Sequence, residues 1–164
     1  MSTLSESPRI TPFLWFDSNA EEAVEFYCSI FKNSRKLSEF RSPTETPSGP
    51  KGMVLTIAFE LDGQRFTALN GGPAHKFNEA VSFVVQCDTQ DEIDHYWSNL
   101  TAGGSEIACG WLRDKFGVAW QVTPANWPQL LAGKDAEGGQ RAMAALMQMK
   151  KLDIEALKNA GGLP

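Results

Sequence analysis

The chain has 164 residues, of which 42% are hydrophobic and 21% charged, and its formal net charge is −5 at pH 7. That length predicts one domain, and the acidic balance argues against a basic nucleic-acid-binding face. No apolar run approaches the ~20 residues of a membrane span, and Met1–Arg9 lacks the apolar stretch of a signal peptide. We therefore expect a cytoplasmic protein with neither nucleic acid nor membrane as a partner. The odd cysteine count without CxxC spacing also argues against a disulfide framework or a zinc knuckle.

The first half of the chain predicts a strand, a helix and a hairpin. Ile10–Phe16 is a short run rich in β-formers, and Ser18 and Glu21 then have the spacing of a capping box, which predicts a helix start. Arg41–Gly52 carries three prolines and two glycines and predicts a loop. Two strands and their turn follow, at Met53–Leu61, Asp62–Gly63 and Arg65–Asn70.

The second half repeats this order. Ala80–Cys87 predicts a strand, and Thr89 and Glu92 again have capping-box spacing before an amphipathic helix. Two further strands are predicted at Glu106–Leu112 and Val118–Thr123. The same succession of elements in both halves indicates an internal structural repeat.

The remainder of the chain predicts helices. Arg141–Leu152 has apolar residues at helical spacing, and Asp153 is placed to cap a last helix, Ile154–Ala160, that ends at two glycines. This apolar stripe is expected to pack on the sheet or on a partner subunit.

Four segments together resemble the PhnB-like branch of the vicinal-oxygen-chelate (glyoxalase-like) superfamily, which often carries the label 3-demethylubiquinone-9 3-methyltransferase. They are ITPFLWFDSNAEEAVEFY, DGQRFTALNGGP, AVSFVVQCDTQDEID and CGWLRDKFGVAWQVTP, and the tail QRAMAALMQMKKLDIEAL is also typical of the branch. The resemblance implies an α+β fold of two βαβββ modules, a curved mixed sheet of eight strands around a pocket, and a homodimer. It implies one domain, with module one at about 9–73, module two at about 78–124 and a helical tail at about 125–164.

Metal-dependent relatives hold a divalent cation with four inward side chains, and the resemblance places Pro12 (or Thr11), Ala68, Ser82 and Gln121 at those positions. Such an ion prefers imidazole or carboxylate ligands. Proline and alanine offer no ligand atom, and serine and glutamine are weak donors, so we expect neither a bound catalytic metal nor another cofactor. His75 and His95 lie at none of the four positions and are expected to be surface histidines.

Alternation along the strands predicts which side chains line the pocket. The residues predicted to do so are Gln121, Asn70, Ser82, Gln86, Trp111 and Phe66. The alternative for some of them is that they satisfy buried backbone groups. The residues predicted to face the helices instead are Trp15, Phe83, Val85, Trp120 and Val122.

These features favour a small-molecule-binding protein or enzyme that lacks the usual metal ligands, with an unidentified ligand and no assigned catalytic residue. One alternative is the methyl transfer that the family label names. The glycine pairs Gly71–Gly72 and Gly103–Gly104 have no GxGxxG spacing, which argues against a nucleotide-type cofactor loop. A structural or regulatory dimer without catalysis is the other alternative, since fold alone does not define function.

Overall fold

The computed structural model describes residues 8–164, and the chain divides into two compact units, one ending at Lys76 and the other spanning Phe77–Pro164. Most of Met1–Arg9, where we expect no signal peptide, lies outside the described residues. Each unit contains a four-stranded mixed sheet and a helix that packs against it, which confirms the predicted α+β class and the repeated module. Within the described part of the chain, no helix is long and apolar enough to cross a membrane.

Module one has the order βαβββ. Its elements are β1 (Phe13–Phe16), α1 (Ala20–Ile30), β2 (Arg35–Arg41), β3 (Val54–Leu61) and β4 (Gln64–Asn70). The sheet order is β1-β4-β3-β2, with β1 parallel to β4 and the other pairs antiparallel. The predicted turn between β3 and β4 is present, and Asp62 and Gly63 both have positive φ, as a tight hairpin turn requires.

The start of α1 differs from the predicted capping box. The helix begins at Ala20, and its N-cap residue is Asn19, whose side chain makes no capping bond with any residue the structure describes. Asn70, at the end of β4, instead accepts a hydrogen bond from the Ala20 N–H through its Oδ1 at 2.9 Å. The first helix is therefore capped from the sheet, 50 positions away in the chain.

Module two repeats the order βαβββ. Its elements are β5 (Phe83–Cys87), α2 (Gln90–Thr101), β6 (Ser105–Glu106), β7 (Trp111–Arg113) and β8 (Ala119–Pro124). The sheet order is β5-β8-β7-β6, with β5 parallel to β8. Here the predicted capping box is confirmed, because Thr89 Oγ1 accepts from the Glu92 N–H at 3.2 Å and the Glu92 carboxylate accepts from the Asp88 N–H.

The single strand predicted at Glu106–Leu112 is wrong, because the segment forms two short strands. Cys109 and Gly110 have φ of 58° and 83°, outside the β region. Their N–H groups donate to the carbonyls of Met149 and Lys150, both at 2.8 Å, and not to a neighbouring strand of the sheet. The contact with the tail therefore interrupts the strand.

The tail forms three helices in the second unit: α3 (Trp127–Ala132), α4 (Ala136–Leu146) and α5 (Ile154–Gly161). The short helix α3 was not predicted, and α4 begins and ends earlier than the pattern indicated. Asp153 caps α5 as predicted, since its Oδ1 accepts from the Ala156 N–H at 2.9 Å. The helices enclose a small apolar cluster of their own, formed by Leu130, Leu146, Leu152 and Leu157.

Candidate functional site

The candidate site is the distal face of module two, the side of its sheet that points away from α2. Strand register places Val84, Gln86, Trp111 and Gln121 on this face, and Ser82, directly before β5, joins them through its hydrogen bond to Gln121. The opposite set, which includes Val85, Trp120 and Val122, is buried, as predicted for residues that face the helix.

Gln121 lies at the centre of this face. It is opposite Val84 on β5 and opposite Trp111 on β7, so the three side chains form one row across three strands. Val84 is 53% exposed, whereas Trp111 and Gln121 are half-buried. Gln121 Nε2 donates to Ser82 Oγ at 2.9 Å. An aliphatic group, an indole, an amide and a hydroxyl are thus brought together.

Several polar atoms on this face keep free hydrogen-bonding capacity. Gln121 Oε1 and the Trp111 indole N–H have no hydrogen-bond partner among the described residues, and Gln86 is exposed. Among the described residues, every buried side-chain nitrogen or oxygen atom has a hydrogen-bond partner. Since these two atoms have none, both are accessible to solvent. They are therefore available to a ligand as one acceptor and one donor. Arg113, two residues after Trp111 on β7, forms an ion pair with Glu79.

Phe66 and Asn70 lie on the face of the module-one sheet that packs against α1. Tyr27 of α1 stacks on Phe59, with ring centroids 6.4 Å apart, and Phe59 stacks on Phe66 at 5.3 Å. Phe66 and Asn70 are 5% and 3% exposed, so both point toward α1. The predicted phase of alternation in β4 was therefore off by one residue, and Thr67 and Leu69 occupy the distal face of module one.

Asn70 is fully engaged within module one. Besides accepting from the Ala20 N–H, its amide nitrogen donates to the Glu21 carboxylate at 2.7 Å and to the Val54 carbonyl at 2.9 Å. These three bonds join β4, α1 and β3, and they match the alternative that such a residue satisfies buried backbone groups. Pocket lining by Asn70 and Phe66 finds no support in these contacts.

Trp15, which the sequence predicts to face α1, instead lies on the distal face of module one. In the parallel pairing of β1 with β4 it is opposite Leu69, which is on that face. Its indole Nε1 donates to the Gly72 carbonyl at 2.8 Å. His75 is exposed, as expected, yet its ring meets the Trp15 ring edge-on with centroids 4.7 Å apart. The segment after β4 therefore folds back over the distal face of its own module.

The residues at the four metal-ligand positions do not fit a divalent cation. Ala68 is completely buried on the side of α1. Pro12, at the first of the four positions, has no donor atom in its side chain. Ser82 and Gln121 bond to each other as neutral groups. Over residues 8–164 no three His, Cys, Asp or Glu side chains are grouped so that they could hold a metal ion. No step of a metal-dependent reaction is therefore derived for this chain.

Each module is a βαβββ unit closed by a parallel strand pair, as the glyoxalase-like resemblance of the sequence predicts. The family model described as 3-demethylubiquinone-9 3-methyltransferase matches residues 8–123, and the chain belongs to that PhnB-like family. The match ends at residue 123, before the three helices of the tail.

Two solved structures are similar to this chain over nearly their whole length. The PhnB protein from Bacillus cereus is 37% identical, with a TM-score of 0.65 over 72% of this chain and 100% of its own. Protein PA1353 from Pseudomonas aeruginosa is 21% identical, with a TM-score of 0.60 over 72% of this chain and 98% of its own, which shows the fold alone. No curated protein matches the chain.

Proposed function

We propose that this protein binds an uncharged small molecule on the distal face of module two, without a divalent metal. The observation that carries the proposal is the hydrogen bond between Gln121 and Ser82, which replaces ligand positions of metal-dependent relatives with a neutral pair. Small-molecule sites are usually apolar surfaces with a few placed polar groups. The row Val84, Gln121 and Trp111 has that composition.

The free atoms indicate how the ligand is held. Trp111 offers an indole N–H and Gln121 offers an amide oxygen, so a ligand with one acceptor and one donor satisfies both. A flat apolar part of the same ligand stacks against the Trp111 ring and contacts Val84. An anionic ligand fits less well, because the guanidinium of Arg113, two residues from Trp111 on β7, is already paired with Glu79.

Binding is tested with the purified protein in two steps. Native mass spectrometry first identifies any small molecule that co-purifies, and elemental analysis counts metals. Titration calorimetry with that molecule then compares the natural protein with Gln121→Leu, which keeps the side-chain volume and removes the amide. We expect the variant to bind at least about tenfold more weakly, which corresponds to losing about 1.4 kcal/mol.

The matched control is Gln129→Leu, the same change at an exposed position of α3. It is expected to bind like the natural protein. Equal affinity of Gln121→Leu and the natural protein would refute the proposed site. A stoichiometric divalent ion whose removal abolishes binding would refute the metal-free part of the proposal.

Methyl transfer to a quinone precursor is a second candidate, favoured by the name of the family model. The three connections from strand to helix in the described chain, residues 17–19, 88–89 and 125–126, contain no glycine, unlike the loops that cradle nucleotide-type cofactors. Calorimetry with S-adenosylmethionine decides between the two candidates. Micromolar binding would favour the methyltransferase, and no heat of binding would exclude this donor.

The family resemblance also implies a homodimer, which we propose as the state in solution. Light scattering coupled to size-exclusion chromatography measures the mass directly. A monomer at the concentration used for ligand binding would refute the dimer. It would also exclude the alternative that the protein acts only as a structural or regulatory dimer.

A further inference from the structure

Sulfur-containing side chains are concentrated where α4 ends. Three of the five methionines, Met143, Met147 and Met149, fall within seven residues of the sequence. The structure brings Cys109, from the segment between β6 and β7, against the same helix end. The three methionines lie beyond residue 123, where the family match ends, and the proposed ligand site includes none of the four sulfur-containing residues.

Two of these sulfur atoms already lie at the separation of two ligands of one ion. Cys109 Sγ is 3.9 Å from Met147 Sδ, and the thiol donates to the Leu146 carbonyl at 3.7 Å. With metal–sulfur bonds of about 2.3 Å, sulfurs so placed subtend an angle of about 115° at a shared ion. That angle is close to trigonal, so binding requires little movement of either side chain.

The backbone holds this pair in place from both sides. The N–H groups of Cys109 and Gly110 donate to the carbonyls of Met149 and Lys150, and the Gly110 carbonyl accepts from Val122 of β8 at 2.8 Å. Cys109 is thereby tied to the sheet and to the end of α4 at once.

Two methionines of the cluster expose much of their side chains to solvent instead of packing them in a core. Met147 is 61% exposed and Met143 is 45% exposed, while Met149 is partly buried against the apolar cluster of the tail. Met143 lies on α4 and Met147, four residues later, is its C-cap residue with helical φ and ψ, so the two side chains lie on the same side of the helix. A second thioether is thus within one helical turn of the Cys109–Met147 pair.

We propose that Cys109 and Met147 bind a soft monovalent metal ion of the Cu(I) class, with Met143 as the third ligand. Thiolate and thioether sulfur select Cu(I) over harder cations. On binding, the Cys109 S–H bond breaks, the sulfur–metal bond forms and the proton passes to solvent. The thiolate neutralises the charge of the ion, and no oxidant or reductant is consumed.

The proposal is tested by titrating the full-length protein anaerobically with Cu(I) against a chromophoric Cu(I) chelator, and with Ag(I) as a probe that does not change oxidation state. We expect one tightly bound ion and one proton released for each ion bound. Cys109→Ser is expected to abolish this binding. Met147→Leu is expected to weaken it at least about tenfold while proton release persists.

Cys28→Ser is the matched control, because Cys28 is the other partly exposed cysteine and lies on α1, in the other unit. It is expected to bind like the natural protein. Circular dichroism confirms that each variant is folded. If Met147→Leu binds as tightly as the natural protein, or if Cys28→Ser loses the site, the proposed pair is refuted. Loss of the site in Cys109→Ser would leave ligand binding at Gln121 unchanged, so this proposal and the proposed function fail independently.

Discussion

The buried carboxylate of Asp114 predicts a large and specific stability effect. Asp114 is 2% exposed, and its Oδ1 accepts from the N–H groups of Phe116 and Val118 at 2.9 and 3.0 Å. Its Oδ2 accepts from the Trp120 indole N–H at 2.9 Å. The carboxylate therefore holds the turn between β7 and β8 and fixes the largest side chain of β8.

Asp114→Ala leaves three donors without this acceptor, and we expect a loss of about 3–5 kcal/mol in the free energy of unfolding. Asp114→Asn keeps the acceptor for the two backbone donors and turns its NH₂ group toward the indole N–H. The expected loss is smaller, about 1–3 kcal/mol. Urea unfolding followed by circular dichroism measures both values.

A double-mutant cycle with Trp120→Phe tests whether the hydrogen bond between Asp114 and Trp120 stabilises the fold. Each single change breaks the same hydrogen bond, so Asp114→Asn with Trp120→Phe should cost less than the two changes summed, by about 1 kcal/mol. Asp62→Asn in the exposed turn of module one is the control and should change stability by less than about 0.5 kcal/mol. Additivity within about 0.5 kcal/mol would refute the assigned bond.

Three further changes follow from individual contacts. Asn70→Asp keeps the acceptor for the N-terminus of α1 but loses both amide donors, so urea unfolding should show a loss of about 1–3 kcal/mol, and unchanged stability would contradict a stabilising role of the bonds to Glu21 and Val54. A Cβ at Gly71 would overlap the Trp15 indole, so Gly71→Ala should destabilise by about 1–3 kcal/mol and shift tryptophan fluorescence, and neither change would contradict the packing. The hydrogen bond from Lys151, and to a smaller extent that from Gln90, lowers the pKa of Asp94. These bonds therefore stabilise the folded state above the unfolded-state pKa of Asp94, and this stabilisation is lost as the pH falls through the folded-state pKa. Lys151→Met should raise the pKa of Asp94 toward its ordinary value in an NMR titration, and an unchanged pKa would exclude the ion pair in solution.

The sequence by itself determined the elements whose signals are local. The turn at Asp62–Gly63 depends on two adjacent residues that tolerate positive φ, and the capping box at Thr89 and Glu92 lies within one helical turn. In module two, Val85 and Cys87 of β5 are buried while Gln86 between them is exposed, so alternation indicates which face of this strand packs against the helix. Side chains alternate between the two faces of a strand, so the buried face can be predicted when only one of the two alternating sets is apolar.

Only the tertiary structure decided the features that depend on distant residues. In β1, Leu14 and Phe16 are buried against α1 while Phe13 and Trp15 are not, yet both alternating sets are apolar, so the strand alone could not specify its face. Asn70 reads as a pocket residue until the N-terminus of α1 is placed beside it. In module two, Gln86 and Gln121 each lie between buried neighbours along a single strand, and this local signal indicates the face away from α2. The contact between Cys109 and Met147 joins segments 38 residues apart, and a contact of that range depends on packing that no local pattern encodes.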